Sequence, residues 1–509
     1  MTENYTTKIT KNSAWATMSF MIASLCNFGM SVAITRYFGK DVYGQYSYFL
    51  WLSSVLGLLA GFGFQQTVTK FIPKYFFKDK EKTHLVFRKL LKIQIIGSAV
   101  ICALCIFGVQ FFENFINFDQ PQKYLLLMIV FLSMIPVSLN NFLTSSLTSI
   151  QEFKTLSRTY ICSSILNLLL VIVFVFSKQS IVNFLWMYLI LTLLYSVVLL
   201  IQSGKLAKKY PQESKFSEKL FSYSLYAYIG ILCTQIVWER SELFFLGMFS
   251  DTGQIAVYTL AYSLAVLFIS VWGPLNGVMN ATTAEVLVTE KQDKLMMITQ
   301  HGTKYLAMLI LPLSLLASLF LGDVVGLVYG KGFEMVALLF PLLVISHVIA
   351  VIITPAGNIP MLKHEIKKMT VFNIVTAIIN IILDFYLIAK YQAVGAMLAN
   401  VISQFFSIGL ALINAKKYRL GIFNKYMVRV FVMNIMLAAI FFMIAPYNLL
   451  TRIIIALTAS VIYIAALLKT GFNQNDINIL NNLREAIPRP LRNIFSRCIK
   501  VIEKSHRAS

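Results

Sequence analysis

The 509-residue sequence predicts an all-α integral membrane protein with about fourteen transmembrane helices. Three observations predict it: a shortage of charge, a series of long apolar runs, and a strict alternation of the basic loops between them. Hydrophobic residues make up 58% of the chain and charged residues only 13%, against about 25% charged in ordinary soluble domains. A soluble globule of this composition lacks the polar groups to cover its surface, and lipid removes that need. A spanning helix takes about 20 mostly apolar residues, because in hydrocarbon every backbone N–H and C=O must be satisfied within the segment.

Fourteen such runs are read, over 14–35, 45–69, 90–112, 123–146, 157–177, 181–203, 222–248, 254–280, 302–322, 335–359, 369–389, 392–414, 427–446 and 450–469. With a cytoplasmic N-terminus, the segments expected on that side carry 36 of the 44 Lys and Arg residues. The opposite side carries seven, Arg36, Lys40, Lys123, Lys178, Lys331, Lys390 and Arg452, and Arg240 lies within a span. A miscounted span would flip every later loop, so the alternation supports both the even count and cytoplasmic termini. Lys8 and Lys11 precede the first run, no small-x-small cleavage site follows, and Leu25 before Cys26 suits lipoprotein processing poorly. The first run therefore reads as an uncleaved helix.

The net charge of +22 sits in short runs between apolar stretches, which is the positive-inside pattern rather than a nucleic-acid footprint. Cys102 and Cys105 have CxxC spacing but lie mid-helix without a His or acidic partner, so packing is their expected role. No P-loop, HExxH, GxSxG or His–carboxylate cluster occurs, and no cofactor or metal is expected. Among the five histidines only His347 lies within a span, where a buried, hydrogen-bonded side chain is the simpler reading than a proton carrier.

The chain also looks duplicated. Arg36-Tyr-Phe-Gly39 with Tyr43-Gly44-Gln45-Tyr46-Ser47 follows the first span, and Phe245-Leu-Gly247 with Gly253-to-Tyr258 follows the seventh. Gln151-Glu152-Phe153-Lys154 leads to Asn167, and His364-Glu365-Ile366-Lys367 leads to Asn380 and Asp384. Two parallel six-helix lobes follow, residues 14–203 and 222–414, after a cytoplasmic N-terminus of residues 1–13 and joined by a basic cytoplasmic linker, 204–221. Two extra helices span 427–469. The tail, 470–509, sets Leu491, Ile494, Phe495 and Ile499 against Arg484, Arg489, Arg492, Arg497 and Lys500, as an amphipathic helix on an anionic leaflet does.

Polar groups inside spans are the functional candidates, since charge there is costly and usually faces a cavity or a partner. Trp238-Glu239-Arg240-Ser241-Glu242 in span seven is the richest stretch: Glu239 and Glu242 share a helix face, with Arg240 about 100° away. Two readings stand for it. Arg240 lines a cavity and offers a forked guanidinium to a phosphate, or it forms a local ion pair that only fixes the helix. Gln65 and Gln66 follow Gly61-Phe-Gly-Phe64 in span two and give it a polar face. Lys70 either joins that face or snorkels to the cytoplasmic interface, and Arg36 either joins it or anchors the outer interface. Asn27, Asn276 and Asn280 either line the same cavity or bond helix to helix. Asp384, a solitary acid in span eleven, is the ion-coupling candidate, with a capping role as its alternative. Pro136, Pro274, Pro312, Pro341 and Pro355 suggest bends.

Fourteen spans in this 6 + 6 + 2 plan, the Arg36–Gly39 and Tyr43–Ser47 stretches, Leu246-Gly247 before Gly253–Tyr258, Val328-Tyr-Gly-Lys-Gly-Phe333 and Val394-Gly-Ala-Met-Leu-Ala-Asn400 resemble polysaccharide flippases of the Wzx type, in the multidrug/oligosaccharidyl-lipid/polysaccharide (MOP) superfamily. The resemblance covers residues 10–470. It implies two six-helix lobes around a central cavity, plus the two extra C-terminal helices, with spans one, two, seven and eight lining a cavity that opens alternately to either side. It further implies a polyprenyl-diphosphate-linked oligosaccharide as cargo, membrane lipid and the polysaccharide polymerase machinery as partners, no nucleic acid, and a plasma-membrane location. Flippases of this type carry several cavity cations, whereas here Arg240, with Arg36 and Lys70 at the margins, must serve. A cation-coupled multidrug exporter of the same superfamily is the alternative, disfavoured because spans one to six hold no mid-membrane acid. A membrane enzyme is a third, but the longest outer loops run to only about ten residues.

Overall fold

The computed structural model describes residues 5–76, 79–114, 116, 122–206, 223–225, 227–229, 232, 241–272, 283, 286, 292–357, 359–362, 365–422, 424–472 and 476. Those residues form helices and turns without a strand. Among the described residues eleven helices are long and apolar enough to cross a membrane, and a bent pair, Lys40–Leu59 with Phe64–Phe76, makes a twelfth if it is one span. The long helix Ile366–Lys417 breaks at Gln392, whose φ of 51° and ψ of −125° are not helical, so it divides into the two spans expected there. Twelve residues of the expected span 222–248, among them 233–240, and the end of 254–280 lie outside the described residues. So does the amphipathic stretch of the tail.

The bend in the second span has a local cause. Phe62 and Gly63 both take left-handed backbone, at φ 50° and 70°. Glycine adopts it freely, while for phenylalanine it is strained. The two half-helices meet at 52°. Gln94 repairs part of the broken ladder, its Nε2 donating to the Ala60 carbonyl at 2.7 Å.

The contacts divide the chain into two units. In the first, residues 1–261, 328–335 and 373–403, helix Lys123–Ser149 is the most enclosed of the early spans. It packs against Lys40–Leu59, Phe64–Phe76, Lys80–Phe107 and Ile181–Gln202. Phe64, Val68, Ile72, Phe87, Leu90 and Phe142 form one buried cluster there. Serines let two of these helices approach closely, with Ser53 and Ser133 hydroxyls 2.6 Å apart. Phe153–Phe176, by contrast, keeps Leu169, Val173 and Phe176 exposed as a lipid-facing helix does. Cys102 is buried and its thiol donates to the Phe131 carbonyl at 3.2 Å, a packing role.

In the second unit, residues 262–327, 336–372 and 404–509, the helix Gln292–Tyr329 is bound to the last two helices, Lys425–Ile444 and Leu449–Thr470, by apolar packing and polar ties. Leu315, Leu319 and Phe320 pack against Leu437, Phe441 and Ala459. Arg452 bonds Asp323 at 2.7 Å, and the Tyr463 hydroxyl donates to the Met308 carbonyl at 3.3 Å. At the far end Asp476 takes bonds from Lys304 and from the Tyr305 hydroxyl at 2.7 Å. His347 is buried, its Nδ1 2.8 Å from the Leu343 carbonyl and its ring edge-on to Tyr262. Pro136, Pro312, Pro341 and Pro355 all sit inside helices that continue past them, and Pro274 lies outside the described residues.

Candidate functional site

The first unit holds a cavity of about 540 Å³ beside the break in the second span. Most of its wall is apolar, with Trp51, Leu58 and Phe244 prominent. Polar groups enter it from four helices or turns: Ser54 before the break, Gln65 after it, Asn141 on Lys123–Ser149, and Ser241 at the start of helix Glu242–Phe249. Gln65 stands two residues past Gly63, at the start of the half-helix that the break redirects.

Behind Ser241 lies a buried polar cluster. Its hydroxyl donates to Asp384 Oδ2 at 2.8 Å and lies 3.0 Å from Asn380 Oδ1. One hydroxyl has one proton, so the carboxylate takes it; rotating the Asn380 amide would let its Nδ2 donate to the same oxygen. Asn400 Nδ2 donates to Glu242 Oε1 at 2.8 Å. Glu242, Asp384 and Asn380 are fully buried and Asn400 nearly so. Asp384 Oδ1 finds no hydrogen-bond partner among the described residues. Two carboxylates in such a place require a proton or a cation with them, because burying bare charge costs far more than the neutral neighbours return. Among the described residues no group of three or more His, Cys, Asp or Glu side chains forms a metal site.

Of the residues singled out in the sequence, Gln65 lines the cavity, and Glu242 and Asp384 meet in the cluster behind it. Gln66 and Asn27 are exposed on their helices. Lys70 lies over the Tyr223 ring, 3.7 Å from its centroid, as a cation–π pair. Arg36 donates through Nε to the Val328 carbonyl at 2.7 Å, one helix end tied to another. Glu239, Arg240, Asn276 and Asn280 lie outside the described residues. Ser241, Asn380 and Asn400 join the cluster without having been singled out as site residues. Asn380 and Asp384 are four apart, hence on one helix face, and that spacing is the signal that could have found Asn380. Nothing in the sequence marks Ser54 or Asn141.

A sequence model of the polysaccharide biosynthesis protein family matches residues 9–279, more than half of the chain. The chain belongs to that family. An uncharacterized membrane protein of Methanocaldococcus jannaschii is 21% identical over 426 residues, 79% of this chain and 83% of the relative. Among solved structures, the lipid II flippase MurJ in an inward closed conformation superposes with a TM-score of 0.68 at 14% identity, covering 89% of this chain and 98% of that one. An inward-facing multidrug resistance MATE family transporter of the MOP superfamily superposes at 0.62 and 13% identity, over 78% of this chain and 95% of that one. At these identities the likeness is one of fold: the multi-pass helical fold of MOP transporters.

Proposed function

We propose that the protein is a flippase, not an enzyme, that moves an undecaprenyl-diphosphate-linked oligosaccharide across the plasma membrane by alternating access, supplying cell-surface polysaccharide synthesis. The observation that carries this reading is the cavity among the spanning helices, in which Ser54, Gln65, Asn141 and Ser241 interrupt an apolar wall. A diphosphate-sugar head cannot cross about 30 Å of hydrocarbon unaided. Polar side chains at intermediate depth replace part of its water, the apolar wall accepts sugar faces, and the tail remains in lipid. Rocking of two lobes, residues 14–203 and 222–414, about such a site needs no covalent step. In this proposal both termini are cytoplasmic, Arg240 meets the diphosphate, and Asp384 with Glu242 binds and releases the coupling proton or cation through Ser241. A polymerase that consumes the flipped unit is the partner this cargo calls for.

The test is leaflet accessibility of a fluorescent undecaprenyl-diphosphate oligosaccharide in proteoliposomes, wild type against Arg240→Ala. Movement that requires the protein and falls about tenfold in the variant supports both the flippase and its cationic site. Unchanged movement in the variant keeps the flippase and reduces Arg240 to an ion pair. No movement, alongside proton- or sodium-driven export of a cationic dye, replaces the flippase with the multidrug exporter.

A further inference from the structure

We propose that an apolar slot lined by Phe62, Phe64, Ile93, Ile96, Gly97 and Leu225 seats the polyprenyl chain nearest the diphosphate while the head occupies the polar cavity. The inference rests on the flippase reading and adds to it the route taken by the tail. The slot is a second cavity of the first unit, about 470 Å³, and Ser224 and Tyr228 complete its wall. Phe62 and Phe64, at the same helix break as Gln65 of the head cavity, form part of the slot's wall. A narrow cleft lined by Leu58, Gly63, Gln65 and Tyr228 shares walls with both, Leu58 and Gln65 with the head cavity and Tyr228 with the slot. Head and tail are covalently joined, so a head held in the cavity needs an apolar exit beside it. Ile93–Gly97 opens the apolar run 90–112 just past Lys92, which in the proposed orientation puts the slot toward the cytoplasmic side of the head cavity, where an entering head first needs it.

The slot also opens to its surroundings. Ile96 and Leu225 remain 53% and 61% exposed although they line it, so a chain can enter sideways from lipid. Its shape depends on a strained residue. Phe62 holds left-handed backbone, which residues with a side chain keep only where the surroundings enforce it and often at functional positions. Its ring lies against Gly97, where an added Cβ would meet the Phe62 ring at 2.5 Å. Its far neighbours are Phe64 and Tyr228, with ring centroids at 5.9 and 6.5 Å. Tyr228 is held in turn by donating to the Leu59 carbonyl at 2.7 Å, the last helical residue before the break. One element thus shapes the wall of both cavities, and the flat Phe62 and Tyr228 rings suit the planar double bonds and methyl groups of a polyprenyl chain.

Two measurements test the slot. The first uses undecaprenyl phosphate with a diazirine in the isoprene units next to the phosphate, photolysed on the full chain in phospholipid nanodiscs and mapped by mass spectrometry. Label is expected on segments 62–64 and 93–97, displaced by unlabelled undecaprenyl phosphate, not by excess phosphatidylglycerol, and lowered about tenfold by Ile96→Trp at the exposed mouth. Label confined elsewhere, or displaced equally by phosphatidylglycerol, overturns the proposal. The second compares flipping of the undecaprenyl carrier with a farnesyl carrier of the same head. Gly97→Leu is expected to slow the long carrier about tenfold and spare the short one; equal slowing of both, or of neither, overturns it. Should Gly97→Leu not fold, Ile96→Trp gives the same comparison. If wild type moves neither carrier but the slot is labelled and displaced as expected, the flippase reading fails and the slot stands.

Discussion

Asp476 is the residue whose removal tests the packing of the second unit most sharply. It is fully buried, although it follows the last spanning helix and belongs to a polar tail. Lys304, only 2% exposed, donates to it, the Tyr305 hydroxyl does so at 2.7 Å, and His301 Nδ1 lies 2.8 Å away. Tyr305, Tyr426 and Phe472 surround the ammonium with ring centroids 5.3, 5.4 and 5.8 Å from it. Rings of this kind soften the cost of burying the cation but do not neutralise it. Asp476→Ala leaves that cation without its anion, which costs about 3–5 kcal/mol in a buried pair. At roughly 2 °C per kcal/mol in a large chain, the apparent Tm should fall about 6–10 °C. Lys304→Met with Asp476→Leu removes both charges and refills the space, and it should recover part of that loss, the remainder reflecting the acceptor that Tyr305 and His301 lose. The assay is thermal unfolding of the full chain in detergent, followed by tryptophan fluorescence. A fall of less than about 2 °C for Asp476→Ala, or a double variant no more stable than the single, would refute the argument that this pair is held by desolvated charge.

Two further outcomes follow from the first unit. Gly44→Ala sets a methyl against the Thr252 carbonyl and within 3.2 Å of the Ala256 nitrogen, so Lys40–Leu59 and Thr252–Ser270 must separate. We expect greater thiol-reagent labelling of an Asp251→Cys reporter beside that contact, and unchanged labelling would count against the close approach. Asp384→Asn removes a titratable acid from the buried cluster while Ser241 keeps a partner, so under the proposed coupling role flipping driven by an ion gradient should drop about tenfold with the protein still folded. Retention of gradient dependence in that variant would remove Asp384 from the coupling role.

Much of the architecture was legible one-dimensionally. Lys123–Ser149, Ile181–Gln202, Lys425–Ile444 and Leu449–Thr470 begin and end within a few residues of the apolar runs that announced them. The hairpin at Gln392 was read as two spans, because Lys390, Tyr391 and Gln392 interrupt the apolar pattern. The break at Phe62 was not. Gly61-Phe-Gly-Phe64 is as apolar as its surroundings, so hydropathy passes over a change that lives wholly in φ. The polar cluster was legible in part: Glu242 and Asp384 stood out as acids within spans, but their meeting with Ser241, Asn380 and Asn400 joins three distant stretches of chain.

The sequence by itself determined that this chain lives in lipid, where its helices run, and which few side chains carry charge into the bilayer. Each is a local property, since hydrocarbon penalises every unsatisfied polar group wherever it stands. Only the tertiary structure decided which of those side chains share a site. It set Gln65 in a cavity and Gln66 outside it, and it buried an acid of the basic tail against Lys304. Pairing of this kind depends on which helices pack together, through contacts between residues far apart in the chain, and no window of sequence contains both partners.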